Sequence, residues 1–259
     1  SQVYDGWRVL TARPTVEDMA AATHRLYGHV DPAVVYSVGD WLRAVAPVLR
    51  DAEEAGLRPI FVGGTGLYFH ALTEGLAEIP ATPPEVRASI EVRLGDEGLA
   101  ALAQELSRSD PVTAATADLA NPRRVARALE VLATTGRGLA DWRAETPPPL
   151  LPDYETALIA PERAALYARC DARFDIMLAE GALDEARAMA ARALDPVLPA
   201  MKAVGAPELF AHLAGEISLE QAATAARRAT RNYAKRQMTW MRSRMRNWRV
   251  VNPSAISTT

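Results

Sequence analysis

The chain has 259 residues, 49% of them hydrophobic and 24% charged, with 29 basic against 32 acidic side chains for a net charge of −3. That length is ample for a buried core, and that composition excludes a disordered, collagen-like or fibrous protein, while the absence of global basicity advertises no polyanionic partner. No uncharged apolar run approaches the roughly 18 residues that span a bilayer, and the N-terminus lacks a charged segment followed by an apolar one, so no membrane contact and a cytoplasmic location are expected. One cysteine, Cys170, leaves no internal disulfide and no cysteine-based zinc cluster. Ser1 stands where Met would, and the opening lacks the character of a domain start, which gives the expectation of a chain cut from a longer one.

Trp41, Leu42, Val45, Val48 and Leu49 recur at helical spacing, which predicts a helix over 38–55 ending at Gly56. Arg58-Pro59-Ile60-Phe61-Val62 reads as a strand, Gly63-Gly64-Thr65-Gly66 as a tight turn, and 67–72 as a second helix. Strand, glycine turn and helix in succession predict an α/β protein with a parallel sheet covered on both faces. From about Pro80 the patterns are alanine-rich and helical, up to the proline-rich segment 146–152, which cannot be helical in its interior. A helical insertion over 80–150, set in a core of 1–79 and 151–259, is therefore predicted. A strand over 154–159, helices over 161–178, 182–193 and from Ser218 towards Met241, and a strand over 248–251 complete the chain.

Three constellations point to chemistry. The glycine turn lets a ligand approach the backbone at a helix N-terminus, with the Thr65 hydroxyl as a donor, yet it lacks the Lys-Ser/Thr of a Walker A loop and the third glycine of a dinucleotide fingerprint. A tight turn that needs glycine for its dihedrals explains it equally well. In Asn121-Pro122-Arg123-Arg124-Val125-Ala126-Arg127, Asn121 reads as N-cap and Pro122 as the first helical residue, and Gly136 follows the end. Arg123, Arg124 and Arg127 then crowd the end of a helix where the dipole favours acids, which suggests a phosphate-rich partner rather than a solvated face. Between Arg227 and Arg249 there are nine basic residues and no acid. On a helix started by a Ser218–Gln221 capping box, Arg228, Arg231, Lys235 and Arg242 gather opposite an apolar sector that includes Tyr233 and Trp240, and Arg244 would fall on the apolar side, so an end near Met241 or Arg242 is expected. Unrelieved like charge costs stability, and a polyanion explains it better than solvent. His24, His29, His70 and His212 show no metal spacing.

Gln2-Val3-Tyr4 with 10–15, Val30-Asp31-Pro32 with Tyr36-Ser37-Val38, Val62 to Tyr68, Arg123 to Val131 with Thr135-Gly136-Arg137, Leu198 to Gly205, and Tyr233 to Arg242 together resemble, in order and spacing, the bacterial tRNA dimethylallyltransferase family. The resemblance covers essentially the whole chain. It implies a P-loop NTPase-like core with a helical insertion. It also implies transfer of a dimethylallyl group from dimethylallyl diphosphate to N6 of the adenosine 3′ of the anticodon, with Mg²⁺. By resemblance, Gln2 contacts the target base, Thr65 makes a hydrogen bond in the channel that receives it, Arg87, Arg123, Arg124 and Arg127 contact tRNA, and Lys202 to Gly205 lie near the anticodon loop. The partners expected are the tRNA anticodon stem-loop and the prenyl diphosphate, on a monomer. The family opens with a strand, a GPTxSGKS-type loop and an Asp-Ser pair, and residues 1–259 contain none of these, so the first strand, the P-loop and much of the Mg²⁺ site are expected to be missing and the chain to be inactive alone. At Arg123 the family more often has Gln. Alternatives are a non-catalytic RNA-binding protein derived from this fold, and a small-molecule P-loop kinase.

Overall fold

A computed structural model describes residues 1–251, and the chain divides into two compact units, Ser1–Tyr68 with Tyr154–Thr259 and Phe69–Asp153. The division falls inside a helix, eleven residues before the predicted boundary at 79/80 and three after that at 150/151.

The first unit opens with a loop-rich stretch in which Tyr4 forms a parallel bridge with Val30. Its helices are α1 (Val16–Ala21), α2 (Val38–Glu54), the start of α3 (Gly66–Glu74), α9 (Arg163–Ala179), α10 (Ala182–Ala190), α11 (Ala206–Leu213) and α12 (Leu219–Arg244). Capping boxes begin α1 (Thr15 with Asp18), α2 (Ser37 with Asp40) and α12 (Ser218 with Gln221), each pairing a hydroxyl with the third helical N–H. The core gathers Trp7, Leu10, Phe174, Met189, Leu209 and the alanines that let helices approach closely. Trp7 is fully buried and donates its indole N–H to the Ala200 carbonyl at 2.8 Å. Glu185 of α10 accepts the backbone N–H groups of Arg8, Val9 and Leu10, the last two at 3.0 and 2.9 Å, and so fixes the entry loop.

The second unit is helical: the rest of α3, then α4 (Pro84–Asp96), α5 (Gly98–Ser109), α6 (Pro111–Thr116), α7 (Pro122–Thr135) and α8 (Leu139–Ala144). Ile90, Leu102, Leu106, Val125, Leu129 and Val131 form its core. α7 begins as its sequence dictates: Asn121 accepts from the Arg123 and Arg124 N–H groups, Pro122 takes the first position, and Gly136 closes the helix at φ 67°.

The strands are shorter than predicted. Leu158–Ile159 (β1) pairs in parallel with Val250–Val251 (β2), so only the ends of the segments 154–159 and 248–251 join a ladder. The strand predicted over 58–62 does not form: Ile60 and Val62 are 83% and 77% exposed, and no described segment bonds alongside. An apolar run becomes a strand only where a neighbouring strand takes its hydrogen bonds, which a one-dimensional pattern cannot supply. α12 runs past its predicted end to Arg244, which stays exposed, so its place on the apolar sector buries no charge. α10 stops short, at Ala190.

Candidate functional site

At the glycine turn, three side chains from one face of α12, at helical spacings of four and three, lie against Gly64, Thr65 and Gly66. Tyr233 Oη is 3.2 Å from Thr65 Oγ1. A Cβ added to Gly64 would stand 2.0 Å from the Gln237 amide nitrogen, and one added to Gly66 would stand 2.0 Å from the Trp240 indole. The space that the missing side chains leave, expected to admit a ligand, is occupied by α12; the glycines here allow helix and turn to meet. Trp240 Nε1 is buried at this meeting point and has no hydrogen-bond partner among the described residues. Residue spacing on α12 carried the signal, since Tyr233 and Trp240 share the apolar sector, but nothing in the sequence names the turn as their partner.

Beside the turn, Tyr68 stacks on Trp41, with ring centroids 4.7 Å apart and planes 11° from parallel. Tyr4 accepts the Tyr36 backbone N–H at 3.3 Å. Tyr36 Oη is buried with no partner among the described residues, and burial, then the neighbouring Tyr68, pushes its pKa up to about 12. Burial likewise raises Tyr68 and Tyr4. These phenols stay protonated at neutral pH, so each keeps an O–H to donate. Gln2 donates its amide to the carbonyls of Thr11 and Ala12 at 3.1 and 2.9 Å, which fixes the side chain and leaves its Oε1 as an acceptor.

The predicted basic face of α12 is partly spent. Arg231 reaches both carboxylate oxygens of Asp171 at 2.6 Å, and Arg227 pairs with Asp175. Asp171 and Asp175 lie four residues apart on α9, and the two arginines four apart on α12, so the like charge that the α12 sequence shows is relieved by a neighbouring helix. This corrects the assignment of Arg231 to an open polyanion-binding edge. Arg228, Lys235 and Arg242 are exposed and form no ion pair among the described residues. Arg236 lies over the Tyr233 ring at 5.6 Å. An open groove near the start of α12 is lined by Glu208, Gln221, Thr224, Arg228 and Asn232, and Glu208 Oε2 is buried there with no partner among the described residues.

On α7 the arginines also divide. Arg123 is exposed without an ion pair among the described residues, and Arg124 is exposed with Asp118 at 3.7 Å. Arg127 turns inward, donating to Thr82 Oγ1 at 2.6 Å and to the buried Glu130 at 3.4 Å. Arg127 thus supports Glu130, a use its sequence position does not reveal. Arg87 is exposed on α4, and Lys202 is exposed on a 3-10 turn, Pro199–Lys202. Gly205 is buried at φ +92°, where a Cβ would press the Phe174 ring at 3.0 Å, so its conformation answers to the core.

A sequence profile described as IPP transferase matches residues 2–244. The chain belongs to this family. A tRNA dimethylallyltransferase of Cereibacter sphaeroides is 58% identical over 252 residues, covering 96% of this chain and 78% of the relative. One of a Bradyrhizobium species is 54% identical over 254 residues, covering 97% and 83%. The full-length tRNA isopentenylpyrophosphate transferase of Bacillus halodurans has the same fold, with a TM-score of 0.66 at 34% identity over 97% of this chain and 78% of that one. A eukaryotic dimethylallyltransferase acting on tRNA shares the fold with a TM-score of 0.80 at 23% identity, covering 97% of this chain and 65% of that one. The IPP transferase chain is thus of the α/β class with parallel strand pairing, and none of its described helices is long and apolar enough to cross a membrane.

Mg²⁺ takes hard oxygen ligands, usually one or two carboxylates together with substrate phosphates. On the glycine turn the side-chain oxygen is Thr65 Oγ1, shared with Tyr233, and no group of three or more His, Cys, Asp or Glu among the described residues is placed to hold a metal.

Proposed function

We propose that the protein transfers a dimethylallyl group from dimethylallyl diphosphate to N6 of the adenosine 3′ of the anticodon in tRNA. The N6–C1 bond forms, the C1–oxygen bond to diphosphate breaks, diphosphate leaves with the bond electrons, and the proton that N6 gives up passes to the released diphosphate or to water. The observation that carries this reading is the sharing of one helix by two functions: α12 fixes the Thr65 hydroxyl through Tyr233 and also exposes Lys235 and Arg242. Membership of the IPP transferase family supports it.

In this reading the exposed cations bind and the polar turn orients. Arg87, Arg123 and Arg124 in a helical tRNA-binding insertion, and Lys202, Arg228, Lys235 and Arg242 in the core, take phosphate oxygens, which position an RNA without reading its sequence. The target adenine leaves its stack, because its amine is out of reach while the base is stacked. Gln2 Oε1 accepts a proton of the N6 amine in a hydrogen bond, and Thr65 hydrogen-bonds the inserted base. These interactions hold the nucleophile in one orientation, which removes entropy from the barrier.

The donor needs more than residues 1–259 hold. Their lysines are Lys202 and Lys235, and neither lies in a Walker-type phosphate loop. Residues 1–259 are expected to bind an anticodon stem-loop without turnover, and a chain extended at its N-terminus by a GPTxSGKS-type segment is expected to transfer the prenyl group. Prenyl transfer to tRNA, assayed with both chains, tests this. Turnover by the shorter chain refutes the account of the donor site, and absence of transfer by the longer one refutes the function.

A further inference from the structure

We infer that Tyr233 is a positioning residue that holds Thr65 in the rotamer used for the incoming base, with Gln237 and Trp240 packed against the backbone on either side of it. This rests on the reading of Thr65 given above. A threonine hydroxyl on a loop samples three staggered χ1 wells, and in one of them its Oγ1 meets the Tyr233 hydroxyl at 3.2 Å. Both groups donate and accept, so Thr65 can accept from Tyr233 and direct its own proton to a substrate acceptor, or donate to Tyr233 and accept from the substrate.

The backbone around Thr65 is held from the same helix. Gln237 fills the volume beside Gly64, and the Trp240 indole fills the volume beside Gly66. Tyr233, Gln237 and Trp240 sit on successive turns of α12, one face of a rigid 26-residue helix. A loop residue hydrogen-bonded by Tyr233 and packed against Trp240 and Gln237 of such an element loses little freedom when substrate arrives, which is how a supporting shell makes an orienting hydrogen bond effective. Arg236 over the Tyr233 ring at 5.6 Å, and the anchoring of α12 to α9 through Asp171 and Asp175, hold the clamp itself.

The test uses the N-terminally extended chain and steady-state prenyl transfer to tRNA, with kcat and KM for tRNA determined separately for Tyr233→Phe, Thr65→Val, Thr65→Ser and the combinations. Tyr233→Phe keeps the ring and its packing and removes one hydroxyl, so kcat should fall about three- to tenfold with KM and melting temperature unchanged. The same loss should appear on the Thr65→Ser background, where a hydroxyl remains. On the Thr65→Val background Tyr233→Phe should cost nothing further. Additive losses, or a change confined to KM, overturn the positioning role while leaving Thr65 in the site. If Thr65→Val leaves kcat unaltered, the role of Thr65 itself is wrong and the inference falls with it.

Discussion

α7 and α12 both begin at a side-chain cap and both carry arginines, but they commit them to different partners. On α12 the committed pair, Arg227 and Arg231, answers two aspartates on α9 across a helix–helix interface. On α7 the committed residue, Arg127, answers an acid of its own helix, Glu130, together with Thr82. Among the described residues, what remains without a firm ion pair is Arg123 and the loosely paired Arg124 on α7, and Arg228, Lys235, Arg242 and Arg244 on α12, beside Arg236 over the Tyr233 ring. A count of charges along a helix therefore overstates what a polyanion can reach, because acids on packed neighbours consume part of it.

The comparison breaks most visibly if the free and the committed cations of α12 prove equivalent. Replacing Arg228, Lys235 and Arg242 together by glutamate should weaken stem-loop association by about 1,000-fold or more, since each charge-assisted hydrogen bond contributes about 1.5 kcal/mol at least. Melting temperature should stay within a few degrees, and fluorescence anisotropy beside thermal unfolding measures both.

The next effect falls on stability and lies on α7. Arg127→Glu places a second acid against the buried Glu130 and should cost about 2 kcal/mol, below the range for a fully buried pair because Arg127 is itself partly exposed. Arg124→Glu, on the exposed side of the same turn, should stay within about 0.5 kcal/mol. Urea unfolding of the two variants separates the roles, and equal losses would erase the distinction drawn between them. Charge reversal at Arg127 is for the same reason a poor probe of RNA binding.

A smaller difference separates the two glycines under α12. Gly66→Ala confronts an indole ring and should cost about 1–3 kcal/mol, whereas Gly64→Ala meets the far end of a flexible glutamine and should cost less than about 1 kcal/mol. The smallest effect concerns a cap. Hydrogen bonds from the Ser37 side chain and backbone hold the Asp40 carboxyl below its ordinary pKa. A depressed carboxylate contributes stability above its unfolded pKa and loses it as pH falls through the folded value. Asp40→Asn should therefore cost about 0.5 kcal/mol at pH 7, and the difference from the parent should begin to shrink as pH falls through about 4 and vanish only below the lowered folded value.

Local rules were readable where local physics decides. Asn121, Pro122 and Gly136 bound α7, and Ser218 with Gln221 starts α12, because caps satisfy orphan N–H groups within a few residues of themselves. What depends on distant partners was not readable. Arg58 to Val62 has a strand's composition without a strand's neighbours, and Ile60 is left in solvent. Arg231 looks free on α12 until α9 supplies Asp171. The glycines of 63–66 look like an opening for a ligand until Gln237 and Trp240 fill it. Gln2, Thr65 and the exposed arginines stood out from their motifs, whereas Tyr233 as the partner of Thr65 required the fold.

The salt dependence of anticodon stem-loop binding by residues 1–259 tests most directly whether the cations left unpaired by the fold are the ones that hold RNA. The logarithm of the association constant should fall linearly with the logarithm of salt concentration, and replacing Arg228, Lys235 and Arg242 by glutamine should flatten the slope by roughly 0.7–0.9 for each phosphate no longer neutralised. A slope unchanged by those substitutions, or flattened equally by Arg227→Gln with Arg231→Gln, would contradict the account.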